Sequence, residues 1–135
     1  MKYEELTREV IGAAIEVHRG LGPGLLESTY EACLAHELRL RGHTAERQKS
    51  LPVIYKDLTI HRAYRVDLLV DDLVLVEVKS VEELADIHFS QVATYLKFSE
   101  RNVGLLINFN VPMLIHGLRR LDRGHGNRAT RISSA

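Results

Sequence analysis

Residues 64–79 read Tyr64-Arg-Val-Asp67-Leu-Leu-Val-Asp71-Asp72-Leu-Val-Leu-Val-Glu77-Val-Lys79. Two apolar runs flank an acidic corner at Asp71-Asp72, the pattern of two strands joined by a tight turn. Three charged side chains, Asp67, Glu77 and Lys79, sit inside those apolar runs. Burying them costs free energy unless they pair with one another as a structural ion cluster or hold a cation. Side chains alternate faces along a strand, so Glu77 and Lys79 point the same way. A two-residue turn at Asp71-Asp72 would set Asp67 opposite Val76, facing away from Glu77. An odd loop centred on Asp72 sets Asp67 opposite Glu77 and Arg65 opposite Lys79. A working site in this hairpin therefore predicts a three- or five-residue loop, or a bulge.

Upstream, residues 3–19 carry Leu6, Val10, Ala13, Ala14 and Val17 at helical spacing. The breaker Gly20-Leu-Gly22-Pro-Gly24 follows, then a second helix over 25–41 closed by Gly42. Its apolar positions are Leu26, Tyr30, Cys33, Leu34 and Leu38. Glu27 shares a face with Tyr30, Leu34 and Leu38. A carboxylate there is either a first-turn acid favoured by the helix dipole or an inward-facing functional group. Residues 43–50 are polar and read as a loop or strand entry. A short strand covers 51–55, Lys56-Asp57 is a turn, and strands cover 60–70 and 73–79.

Downstream, Asp86 begins a third helix running to about residue 99. Residues 103–109, Val-Gly-Leu-Leu-Ile-Asn-Phe, read as a strand buried on both faces. Residues 113–121 form a last strand or short helix. Residues 122–135 are polar and are expected to be frayed or disordered. Three antiparallel strands, a crossover helix and a further strand give an α/β fold with a mixed sheet and helices on both sides.

The 135 residues suffice for one domain with a real core, and 45% hydrophobic with 27% charged residues is ordinary for a globular protein. One cysteine, Cys33, excludes an internal disulfide and suits a reducing compartment. The first residues lack a signal peptide's apolar core, and no apolar run reaches membrane-spanning length. No membrane association and a cytoplasmic location are expected. Net charge is zero, which argues against a strong non-specific grip on nucleic acid. The distribution is uneven: from Gly117 onward five arginines face one acid, while the rest carries 13 basic and 17 acidic residues. The seven histidines show no zinc spacing, no phosphate-cradling Gly-x-x-x-x-Gly-Lys loop occurs, and Ser80 lacks a His–acid relay.

Gly24-Leu-Leu-Glu27-Ser-Thr-Tyr30 resembles the signature of the GxxExxY family, which is grouped with the PD-(D/E)XK nuclease superfamily. Asp67 followed by Glu77-Val78-Lys79 is similar to that superfamily's Asp…Glu-x-Lys core, with Val66 where the superfamily has Pro. His88-Phe-Ser-Gln91 with Tyr95-Leu96 resembles the helix after the core, and Gly104-Leu-Leu-Ile-Asn-Phe-Asn110 also looks typical. The resemblance covers roughly residues 5–121. It implies a restriction-endonuclease-like α-β-β-β-α-β core with an extra N-terminal helix, in a domain spanning 1–121, followed by the Arg-containing tail 122–135.

The implied function is a metal-dependent nuclease acting on DNA. Asp67 and Glu77 would be the primary ligands of Mg²⁺, or of Mn²⁺, with the carbonyl of Val78 and with Glu27 direct or through water. Lys79 would orient the attacking water or stabilise transition-state charge, and Gln91 would position Lys79, water or phosphate. Tyr30, His88 and Tyr95 are the candidate substrate contacts. A domain this small with no net charge calls for a homodimer or a partner protein. Two alternatives stand beside this reading: a non-catalytic module that binds nucleic acid or protein, and a hydrolase of a small phosphorylated ligand.

Overall fold

The computed structural model describes residues 3–126 and 128–132. Helix α1 (Tyr3–Leu21) buries Leu6, Val10, Ala13, Ala14 and Val17 along one stripe. Helix α2 (Glu27–Leu40) starts two residues later than its apolar pattern suggests, with Leu26 as N-cap, and buries Tyr30, Leu34 and Leu38 completely. Then come β1 (Ala45–Tyr55), β2 (Leu58–Val70), β3 (Val74–Lys79), α3 (Asp86–Ser99) and β4 (Val103–Asn108). A 3₁₀ turn (Leu114–Gly117) leads into β5 (Leu118–Asp122), and β6 (Ala129–Arg131) completes the described chain. Residues 113–121 thus hold both a short helix and a strand.

The strands make one sheet in the order β1-β2-β3-β4-β5-β6. Only β3 and β4 are parallel, and α3 is the crossover between them. Helices α1 and α2 cover one face with Val74, Val76 and Val78 of β3. Helix α3 covers the other with Leu75 and Leu106. The expected mixed α/β sheet with an added N-terminal helix is therefore the observed fold. Residues read as frayed tail depart from expectation: Ala129–Arg131 pair with Arg119–Leu121 as an edge strand. Asn127 and residues 133–135 lie outside the described residues. Among the described residues, no helix is long and apolar enough to cross a membrane.

The loop between β2 and β3 has three residues, Asp71 to Leu73, since Val70 pairs with Val74. Asp71 and Asp72 adopt left-handed backbone, φ 51° and 58°, and the Leu73 N–H closes the turn on the Val70 carbonyl at 2.9 Å. Short polar side chains tolerate that conformation by bonding locally. Here Asp71 accepts the Thr44 N–H at 2.8 Å and lies 2.8 Å from His43 Nδ1. Asp72 accepts from Arg101 Nη2 at 2.6 Å. One step beyond the last ladder pair, Leu68 with Val76, the register brings Asp67 and Glu77 opposite each other. This is the odd loop that a working site requires.

Strand β2 pairs with β3 only over Leu68–Val70, but with β1 along its length. The remainder projects as a two-stranded ribbon whose tip exposes Ile54, Tyr55, Leu58 and Ile60. The ribbon rolls over at its base. Ala45 and Val70 pack under α1 and α2, whereas Leu51 and Val66, an even number of residues away, pack under α3. The break falls at Gln48, φ 52°, whose register position is opposite Asp67.

His43 straps this hairpin to α1, with Nδ1 on Asp71 and Nε2 3.1 Å from Glu9. Burial alone would lower the His43 pKa, but the Asp71 and Glu9 carboxylates reverse that and raise it above 6.5. Burial likewise opposes the Asp71 carboxylate, yet His43 and Thr44 hold its pKa below 3.8. The His43 contribution to stability is complete below its unfolded pKa, and is lost as pH rises through the raised folded value. That of Asp71 is complete above its unfolded pKa and lost as pH falls through the depressed one. The stability gap between wild type and His43→Asn, read from urea midpoints, should therefore shrink as pH rises from about 6 to 9. A gap that widens over that interval would contradict the strap.

Candidate active site

Past Leu68 and Val76 the β2–β3 ladder gives way to a reciprocal clasp. The Asp67 N–H donates to Glu77 Oε2 at 3.0 Å, and the Val78 N–H donates to Asp67 Oδ2 at 2.8 Å. Each carboxylate takes the place of a ladder carbonyl, so strand geometry itself fixes both side chains. Alternation puts Glu77 on the α3 face beside Leu75, where it is only 2% exposed. Burial pushes its pKa up to about 9. The Asp67 charge and a hydrogen bond between the two carboxyls add to this, while the Asp67 N–H and Lys79 act in the opposite direction. At neutral pH without a countercharge, Glu77 therefore keeps its proton.

Lys79 is half-buried at the end of β3, and its ammonium donates to Gln91 Oε1 at 3.3 Å. Gln91 Nε2 donates to the Tyr95 hydroxyl at 2.9 Å, one turn along α3. The Tyr95 ring stacks on Tyr64, centroids 4.5 Å apart, and the Tyr64 hydroxyl donates to the Tyr95 carbonyl. Burial and then the Glu77 charge raise the Tyr95 pKa, so this ring borders the acidic pair. The line from Lys79 through Gln91 to Tyr95 and Tyr64 holds the ammonium at the mouth of the clasp.

Glu27 arrives from the other side. It is exposed at the first position of α2, and its Oε1 accepts the Ser80 N–H at 3.3 Å. The Ser80 hydroxyl donates to the Leu25 carbonyl at 2.6 Å, so the glycine corner is latched to the residue after Lys79. Gly24, φ 98°, makes the corner possible, since a side chain there would be strained. Asn108, level with Lys79 on β4, receives the Val81 N–H and donates to the Val81 carbonyl. These bonds fix the chain where it leaves the site.

Asp67, Glu77, Lys79 and Gln91 thus converge, with Glu27 at the rim and Tyr95 behind Gln91. Tyr30 does not join them. It is fully buried, stacks on Phe109 at 4.5 Å, donates its hydroxyl to the Gly22 carbonyl and accepts the Leu25 N–H. The tyrosine of the Gly-x-x-Glu-x-x-Tyr pattern anchors the corner that presents Glu27, and has no face free for a substrate. His88 Nδ1 accepts the Ala85 N–H at 2.9 Å and caps α3, which leaves Nε2 as its remaining polar atom. The Val78 N–H donates to Asp67.

Two residues escaped the sequence reading. Glu31, 5% exposed, accepts from Arg47 Nε at 2.9 Å and Gln48 Nε2 at 2.6 Å. The same Gln48 nitrogen reaches Asp67 Oδ1 at 3.2 Å, so one amide bridges the two acids. Burial raises the Glu31 pKa and the Asp67 charge adds to the rise, against the Arg47 and Gln48 hydrogen bonds. The available signal was spacing: Glu31 follows Glu27 by four residues and so lies on the same side of α2.

Among the described residues, no three His, Cys, Asp or Glu side chains form a preformed cage for a metal. The chemistry of the pair nevertheless fits a small hard cation, which takes one or two carboxylates and fills its octahedron with water and substrate phosphate. Two carboxyls in contact, one of them protonated for want of countercharge, meet that requirement. Residues 4–121 match the family model of the PD-(D/E)XK nuclease superfamily. The chain belongs to this superfamily. Asp67 and Glu77-Val78-Lys79 lie on adjacent antiparallel strands, with Asp67 and Glu77 opposite each other. PD-(D/E)XK nucleases typically use divalent metals, and membership makes nuclease chemistry on nucleic acid the natural reading of the site. No curated protein and no solved structure matched the chain.

Proposed function

We propose that this PD-(D/E)XK protein is a Mg²⁺- or Mn²⁺-dependent nuclease of the GxxExxY type that hydrolyses phosphodiester bonds in DNA. The observation that carries the reading is the clasp itself: Asp67 and a protonated Glu77 in contact, beside a lysine held at the mouth. Asp67 and Glu77 would hold the cation, with the Val78 carbonyl completing the protein's share and Glu27 reaching it through water. When bound, the cation supplies Lewis-acid polarisation of the phosphoryl group. The Lys79 ammonium donates to a non-bridging phosphoryl oxygen, where charge develops. Gln91 Oε1 accepts a hydrogen bond from one Lys79 N–H and so leaves the other two N–H groups for substrate. Water adds to phosphorus, the bond to the leaving oxygen breaks, and the proton lost by water is matched by one gained by the leaving group.

Glu31 and Gln48 act on Asp67 from behind, and Tyr95 acts through Gln91. Tyr95, bonded to Gln91, and His88 Nε2, three residues before Gln91 on α3, would be the candidate contacts for substrate. A second copy of the chain or a partner protein would extend the binding surface, and the cytoplasm is the proposed location.

Wild type, Lys79→Met and Gln91→Ala would be incubated with single-stranded DNA, double-stranded DNA and RNA in Mg²⁺ or Mn²⁺. Wild type should cleave DNA. Lys79→Met should lose about a hundredfold or more in kcat, and Gln91→Ala about tenfold with KM little changed. Binding without cleavage by wild type would favour a non-catalytic module. Cleavage confined to small phosphate esters would favour a small phosphorylated substrate.

A further inference from the structure

Sheet register carries the site's row across to the far edge. Glu77 pairs with Leu106, Leu106 with Arg119, and Arg119 with Arg131. Residues paired across strands face the same way, so both arginines stand on the α3 side of the sheet, as Glu77 does. Arg120, one residue out of step, faces the opposite side and pairs with Glu4 of α1 at 2.8 Å. The two arginines meet a cleft of about 350 Å³ that starts at Asn108, the register partner of Lys79, and runs past Phe89 and His116. A neighbouring cleft of about 360 Å³ adds Arg128.

By number the charges lining the two clefts balance, three acids against three arginines, yet they are left unpaired. Glu82, Glu83 and Asp86 line its rim, yet among the described residues no carboxylate forms an ion pair with Arg119, Arg128 or Arg131. Arg119 is half-buried and bonds only carbonyls, His116 at 3.0 Å and Leu118 at 2.8 Å, both through Nη1. The rest of its fork has no protein partner among the described residues. Burial and the like charge of Arg131 depress its pKa, as expected of cations left without an anion. A planar guanidinium aimed by backbone carbonyls suits a phosphate group.

We propose that the Arg119–Arg128–Arg131 cleft binds a backbone phosphate of the substrate strand, away from the scissile bond. The idea rests on the nuclease reading and deepens it. Strands lie about 4.8 Å apart, so Arg119 and Arg131 stand roughly 10 and 14 Å from Glu77 along the row. Successive phosphates of an extended single strand lie about twice the 3.4 Å duplex rise apart, so this is about two nucleotides from the reacting phosphate. The basic patch from Gly117 onward then has a local task that net neutrality hides.

Fluorescein-labelled single-stranded DNA of 16 and of 2 nucleotides would be titrated into Asp67→Asn protein, which binds without cutting, across a salt series. The same titration would be run with Arg128→Glu and Arg131→Glu added. Both arginines are exposed, so the fold survives, and circular dichroism checks it. Cleavage by the wild-type chain is measured in parallel. The 16-mer should bind about tenfold more weakly to the arginine variant, and its salt slope should fall by about 0.7 per lost contact. The dinucleotide should show neither change. Equal losses for both lengths, or no loss for the 16-mer while wild type cleaves, would overturn the cleft and leave the nuclease reading intact. Arginine-dependent binding of the 16-mer by a chain that never cleaves would support the cleft and overturn the nuclease. No binding and no cleavage would end both.

Discussion

Glu77→Gln is expected to abolish cleavage while making the metal-free protein more stable. The two effects have one cause. Glu77 is buried against Asp67 with a pKa raised from 4.5 to about 9, so folding favours its neutral form. The contribution of this group to stability is complete below pH 4.5 and is lost as pH rises to about 9. At about 1.4 kcal/mol for each pH unit, roughly 3 kcal/mol is gone by pH 7, and roughly 6 by pH 9. Glutamine is neutral throughout and keeps the acceptor that the Asp67 N–H needs. Urea midpoints in chelator should fall from pH 5 to 9 far more steeply for wild type than for the variant, which keeps only the smaller loss from His43. Activity should drop by three orders of magnitude or more, roughly what removal of a principal charge-stabilising group costs. Parallel pH profiles, or a variant that still cuts, would show that Glu77 is not the buried acid of the site.

Gly117→Ala should be the most damaging small substitution in the fold. A Cβ at this position would lie 2.1 Å from the Asn108 carbonyl oxygen and 3.2 Å from Val111 Cγ2. The first neighbour is backbone and cannot rotate away. Overpacking of this kind costs about 3 kcal/mol, which in a domain of this size lowers Tm by about 10 °C. The damage also reaches the site, because Asn108 clamps Val81 two residues after Lys79. Thermal unfolding and cleavage assays should therefore fall together. A Tm within two or so degrees of wild type would mean that the 3₁₀ turn yields freely and does not brace Asn108.

The central hairpin was legible because its logic is local. Strand alternation left a two-residue turn and an odd loop both open; only a working site, with Asp67 opposite Glu77, called for the odd loop, and Asp71 to Leu73 supply it. The apolar run of β4 and the helical stripes of α1 and α2 were equally clear, since burial on a fixed period is written in side-chain type. Residues 45–50 hid the first half of β1, because an edge strand facing water is charged and lacks an apolar rhythm. Strand β6 was hidden similarly: its arginines pair through backbone with β5, which composition does not signal. At the site, four of five expected residues converge and Glu27 joins at the rim. Tyr30 misled because aromatic type alone does not say whether a ring packs or binds. Its hydroxyl is satisfied by a glycine corner eight residues away, and only the fold brings that about. Glu31 and Gln48 were missed because Glu31 meets Gln48, and Gln48 meets Asp67, only across 17 and 19 residues of chain.

The account's central claim is that Asp67 and Glu77 form a divalent-cation site whose empty form carries a proton on Glu77. Calorimetric titration of Mn²⁺ and Mg²⁺ into wild type and Asp67→Asn at pH 7, repeated in buffers of different ionisation heat, tests it directly. Wild type should bind the metal and release about one proton per ion, and Asp67→Asn should do neither. Metal binding with no proton released, or equal binding by both proteins, would contradict the claim.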